Sequence, residues 1–167
     1  MDLYILRHAI AVERGTKGYR RDSQRPLTDK GAKKMERIAG GMLGLHLSFD
    51  QVFSSPFVRA RQTAAIVVDA FHAKGKLKFT PHLQVGGDPR KLIDLVGKHC
   101  KPESAILLVG HEPYLSGLIS MLITGVKNPS ITLKKGGLCR LSVNDLKYGR
   151  CATMEWLLTP HQLTLVR

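Results

Sequence analysis

The chain has 167 residues, a net charge of +13 and 43% hydrophobic residues, which fits one domain, here taken as 1–167, built around one core. No apolar run approaches the ~20 residues needed to span a bilayer and the N-terminus lacks a signal-peptide pattern, so no membrane is implied and a cytoplasmic location is expected. Three cysteines, Cys100, Cys139 and Cys151, with no CxxC spacing, argue against a disulfide framework or a zinc site.

The first predicted element is a short buried strand over 2–6, followed at once by Arg7-His8-Ala9. A polar loop fills 9–27. Thr28 then caps a helix over 29–46, in which Met35, Ile38, Ala39, Met42 and Leu43 recur at helical spacing. A strand over 50–54 runs into Ser54-Ser55-Pro56, a cap followed by a proline at the first helical position, which starts a helix over 57–73. That places Arg59 near the helix start. Arg61, two positions on, lies about 200° around the helix and faces away. A strand near 77–80 and a short Gly-rich stretch lead to a helix over 89–99, with Leu92, Ile93, Leu95 and Val96 on its apolar face. The clearest buried strand is 104–109, with His111 just beyond it and a helix over 113–124 after that. Residues 138–143 and 151–158 read as two strands around a turn at 144–149.

This alternation predicts a three-layer α/β/α sandwich with a mainly parallel sheet, closed by a C-terminal antiparallel pair. There are no repeats, low-complexity tracts or interdomain linkers. Ligands of open α/β sheets bind at the carboxyl ends of the strands. Three strand ends deliver Arg7-His8, Arg59 and His111 to that edge.

The segments LRHA at 6–9, RPLTDKG at 25–31, SSPFVRARQTA at 54–64 and VGHEP at 109–113 resemble, in order and over nearly the whole chain, the histidine phosphatase superfamily, the phosphoglycerate-mutase-like group. The likeness extends to its small SixA-type phosphohistidine phosphatases. The resemblance implies that His8 becomes phosphorylated and that Arg7, Arg59 and His111 hold the phosphoryl group. It also implies that Arg25 lies near the phosphate. The residue types suit that chemistry. Neutral imidazole, with an ordinary pKa of about 6.5, is a nucleophile near neutrality, and a covalent intermediate splits one displacement into two. A guanidinium presents a fixed fork of donors to phosphate and keeps its charge. A protonated His111 adds a further donor. The remaining histidines, His46, His72, His82, His99 and His161, have no mutual ligand spacing, and no metal or other cofactor is expected.

Two carboxylates are candidate general acids. Glu112 directly follows His111, where one branch of the superfamily carries its acid. Asp88 lies in the Gly-rich turn. Each has an alternative reading as a helix-start residue, Glu112 through the dipole and Asp88 as a cap before Pro89. The stretch 81–89 is too short for a substantial lid. An open mouth without an obvious acid suits a leaving group that departs readily, as imidazole does, and admits a protein substrate carrying phosphohistidine. The alternatives are a phosphatase for small phosphate esters using Glu112, and a non-catalytic module that binds phosphate or nucleic acid. The basic residues (Arg14, Lys17, Arg20, Arg21 and Arg25; Lys30, Lys33, Lys34 and Arg37; Lys74, Lys76 and Lys78; Lys134 and Lys135) are scattered, and aromatics are only 6% of the chain, so no base-stacking surface is indicated. The charge is read as a solvated surface that attracts phosphorylated substrates rather than nucleic acid.

Overall fold

In the computed structural model, which describes residues 1–127 and 130–166, the elements run β1 (Asp2–Arg7), α1 (Asp29–Gly44), β2 (Gln51–Ser54), α2 (Val58–Ala70), β3 (Leu77–Phe79), α3 (Pro89–His99), β4 (Ala105–Gly110), α4 (Tyr114–Thr124), β5 (Leu138–Val143), β6 (Ala152–Leu158) and α5 (Pro160–Leu163). They form a six-stranded sheet in the order β3-β2-β4-β1-β5-β6. β1, β2, β3 and β4 are parallel, whereas β5 runs antiparallel to both β1 and β6.

The two central strands are apolar on both faces because both are covered. Tyr4 and Leu6 of β1 and Leu107 and Val109 of β4 join a core with Met35, Ile38 and Met42 of α1 and Val67 of α2. Leu3, Ile5, Ile106 and Leu108 point the other way, into a second core with Leu92 of α3 and Leu118 of α4. The mixed α/β sheet and its helix-covered faces are those expected from the alternation of elements.

Local signals set several boundaries. Thr28 Oγ1 accepts from Gly31 N at 3.0 Å and caps α1. Asp88 caps α3, with Pro89 at its first position. The helices differ from expectation at four places. α1 stops at Gly44 and Leu43 is 43% exposed, so the apolar stripe is narrower than the spacing implied. α2 begins at Val58 because Phe57 is still extended, and its N-cap makes no side-chain bond. Ser55 is therefore not the cap. α2 also ends at Ala70, before His72 enters the left-handed region at φ 51°. The short α5 was not expected, although Thr159 and Gln162 form a reciprocal capping box at its start.

Two close approaches lock α1 to its surroundings. A Cβ at Gly31 would lie 2.0 Å from Ile10 O, and one at Gly41 would lie 1.8 Å from Leu163 O. Only glycine lets the loop after β1 and the last helix lie against α1.

Candidate active site

His8 follows the last residue of β1 and is 6% exposed. Its Nδ1 is 2.7 Å from Ala9 O, an atom that only accepts, so Nδ1 carries the proton. Nε2 is thereby unprotonated, and its lone pair accepts from Arg59 Nε at 3.2 Å. Burial is the main reason the ring stays neutral. It pushes the His8 pKa down to about 3, opposed by the Ala9 contact and reinforced by His111, Arg59 and Arg7.

Arg59 is 2% exposed, in the first turn of α2. Thr63 Oγ1 donates to Arg59 O at 2.7 Å and accepts from Ala9 N at 3.0 Å, which ties the turn to the strand end bearing His8. Arg61 is exposed, its guanidinium 5.2 Å from the Phe79 ring centre, and takes no part in the cluster.

His111 lies just past β4, fully buried, with its ring centre 5.0 Å from that of His8. Its Nε2 shares a 2.8 Å hydrogen bond with Ser55 Oγ, the residue expected to cap α2. Burial first, and then the charge of Arg59, lower its pKa to about 3. Arg7 Nη1 donates to Leu133 O at 2.9 Å. Arg7 Nε and His111 Nδ1 are both buried without a partner among the described residues. Leaving such groups unsatisfied costs about 1–3 kcal/mol each, and a charged group more. The unpartnered nitrogen of the cationic Arg7, next in the chain to His8, suits an anion there, and His111 Nδ1 does so when it carries a proton.

One member of the cluster was not anticipated. Asp22 Oδ1 accepts from Arg25 Nε and Nη2 at 2.9 and 2.7 Å, and Asp22 Oδ2 accepts from Arg59 Nη2 at 2.9 Å. Asp22 O also accepts from Arg59 Nη1 at 2.6 Å, and Arg25 Nη1 donates to Val12 O at 2.6 Å. Partial burial would raise the Asp22 carboxyl, but the bonds from Arg25 and Arg59 outweigh it and hold it down to about 2. Its only sequence signal is the i, i+3 spacing to Arg25 in an otherwise patternless loop.

The pattern of the histidine phosphatase superfamily (branch 1) matches residues 3–84, a span that includes Arg7, His8, Asp22, Arg25 and Arg59. The chain belongs to this superfamily. It is 34% identical over 148 residues to an uncharacterized protein of Picosynechococcus sp., covering 84% of each chain. It is 25% identical over 172 residues to the phosphohistidine phosphatase SixA of Escherichia coli, covering 100% of this chain and 99% of that protein. The structure of a protein histidine phosphatase SixA complexed with tungstate superposes with a TM-score of 0.80 at 25% identity, covering 98% of this chain and 99% of that one. Membership and these likenesses support a phosphatase.

Both candidate acids of this histidine phosphatase are engaged at helix starts. Glu112 Oε1 accepts from Ser116 N at 2.9 Å, in the first turn of α4, and its charge opposes the lowering that burial imposes on Arg7. Asp88 Oδ1 accepts from Arg90 N and Lys91 N at 2.9 and 3.3 Å, and these bonds, that from Lys91 first, lower its carboxyl pKa. Among the described residues, no group of three or more His, Cys, Asp or Glu side chains is placed to hold a metal, and no helix is long and apolar enough to cross a membrane.

Proposed function

We propose that this protein removes the phosphoryl group from phosphohistidine on proteins through a phosphoenzyme on His8. His8 Nε2 attacks phosphorus in line, the substrate's P–N bond breaks as the new P–Nε2 bond forms, and the substrate ring, protonated from solvent at its far nitrogen, takes the bonding pair and leaves as neutral imidazole. Water then attacks the phosphoenzyme and releases inorganic phosphate. Arg7 and Arg59 hold the equatorial oxygens, with Arg25 beside them, where charge is redistributed during transfer. His111 Nδ1 points its unused capacity at the same group. A dianion offsets the burial that keeps His111 neutral, so substrate binding favours its protonated, donating form.

The observation that carries the choice of substrate is the state of the carboxylates. Asp22 is held ionised by two arginines and is thus no proton donor, and Asp88 and Glu112 each commit an oxygen to a helix start. An alkoxide, whose basicity is near that of hydroxide (parent pKa ~15.7), needs such a donor. An imidazole ring, which takes a proton at its far nitrogen from solvent near its ordinary pKa of about 6.5, leaves as a neutral base without a protein donor. Glu112, released from Ser116, is the acid that a phosphatase for small phosphate esters would use. The proposed activity belongs to signal transduction in the cytoplasm, with 1–167 acting as a single domain and no metal or other cofactor.

The test is steady-state phosphate release from a panel of phosphohistidine peptides and aliphatic phosphate esters. A higher kcat/KM for the phosphohistidine peptides is expected. The reverse order overturns the reading and returns Glu112 to the role of acid.

A further inference from the structure

The fold redistributes charge that looks scattered in the sequence. The loop after β1 carries exposed Arg14, Lys17, Arg20 and Arg21, and the approach to β5 carries exposed Lys134 and Lys135. Both lie at the edge of the sheet that holds His8, since Gly136 N bonds Arg7 O. On α1, Lys30, Lys33, Lys34 and Arg37 stand at i, i+3, i+4 and i+7, one face of a helix. With Asp29, His161 and Thr164 they line a groove of about 560 Å³ between α1 and α5.

That stripe works against helix stability. Like charges three and four residues apart repel, and Lys30 sits in the first turn, at the positive end of the helix dipole. Asp29 and Glu36 lie at suitable spacings from Lys33, yet none of the four cations makes an ion pair among the described residues. The groove also adjoins the candidate site. The turn of α1 holding Lys30 packs Gly31 against Ile10 O, two residues from His8, and α5 follows the end of β6 that pairs with Leu138 beside Leu6.

We propose that this groove is a docking surface for an acidic face of the protein whose phosphohistidine enters the site, an inference that rests on the function proposed above. The lining holds no Phe, Tyr or Trp for bases to stack on, its four cations outweigh Asp29 and so favour an acidic partner, and its place beside His8 suits a partner that occupies both at once.

The test uses two synthetic helical peptides with one phosphohistidine each, differing only in Glu or Gln along one face, at about 50 mM salt so that screening stays modest. Each is assayed with the wild-type protein, a Lys30→Gln, Lys33→Gln, Arg37→Gln variant, and a charge-matched Lys98→Gln, Lys101→Gln, Lys147→Gln control from the opposite edge. Three exposed charge contacts, each worth about twofold, give an expected preference for the Glu peptide of about tenfold in kcat/KM. The preference is expected in the wild type and the control and should fall towards one in the α1 variant. Equal preference in all three proteins, or none in the wild type, overturns the docking surface while leaving phosphohistidine turnover intact. Release of phosphate from neither peptide overturns the function instead. Fluorescence anisotropy of the unphosphorylated Glu peptide then judges the surface alone, tighter binding to the wild type than to the α1 variant supporting it and equal binding refuting it. Duplex DNA of equal charge that binds the wild type more tightly than the Glu peptide also refutes it and assigns the face to nucleic acid.

Discussion

Asp22→Asn isolates what a carboxylate contributes inside an anion site. Asparagine keeps the shape but has one oxygen, and its amide nitrogen cannot accept from a guanidinium. Asp22 now serves Arg25 with Oδ1 and Arg59 with Oδ2, so one arginine must lose its bond to this side chain. A hydrogen bond to a charged group contributes about 1.5–3 kcal/mol, and with the side chain 28% exposed the lower end applies. If that bond is what aims Arg59, the loss of about 1.4 kcal/mol appears as a roughly tenfold fall in kcat. Removing a negative charge beside a dianion leaves KM unchanged or lower. The assay is phosphate release from a phosphohistidine peptide with kcat and KM resolved separately. A raised KM with unchanged kcat refutes the positioning role. Stability supplies a second readout. The carboxyl lies at about 2 in the folded protein against an ordinary 3.8, so its contribution is full above the ordinary value and is lost as pH falls towards the folded one. After discounting for solvent screening that contribution is roughly 1 kcal/mol, and the Asn variant should lack this pH-dependent part of the wild-type acid transition.

Arg59→Ala should lower kcat/KM by about 10²–10³, the cost of losing one preorganised donor, and Arg59→Lys should rescue little of it, whereas Arg61→Ala should lose only a weak effect that salt removes. Equal, salt-sensitive losses at both positions would mean that a diffuse field and not a clamp holds the substrate. A labelled phosphodonor should leave acid-labile, base-stable label on His8, and label on His111, or turnover surviving His8→Ala, contradicts the assignment. Exhaustive chelation should leave the rate unchanged; a loss restored by a divalent ion reveals a missed site. Both histidines are held near 3 against an ordinary 6.5, so the folded state loses stability as pH falls from about 6.5 towards 3. His111→Gln should flatten that loss in denaturant titrations at several pH values, and an unchanged slope counts against the burial of a neutral ring.

Much of the scaffold was legible because its signals are local. Asp88-Pro89 marks the start of α3, Thr28 caps α1, and the uninterrupted apolar run of β4 announces a strand covered on both faces. Strand ends then located His8, Arg59 and His111, and a 100° turn per residue separated Arg59 from Arg61. Asp22 escaped because its partners lie 3 and 37 residues away and the loop holding it has no periodicity. Ser55 was misread for a related reason. A serine before proline is a sound capping signal, but Pro56 and the extended Phe57 postpone α2 and free the hydroxyl for His111, 56 residues on.

The contact between His8 and Ala9 O sets where this protein is vulnerable to change. The oxygen that fixes the imidazole proton belongs to the main chain, so every amino acid at position 9 provides it. The chemical form of the nucleophile is thus insulated from side-chain substitution at its own neighbour. Sensitivity moves instead to whatever steadies the peptides on either side of it: Thr63, which receives Ala9 N, and Gly31, whose missing side chain makes room for Ile10 O. A helix residue 54 positions away and a glycine outside the site therefore share custody of a single proton on His8.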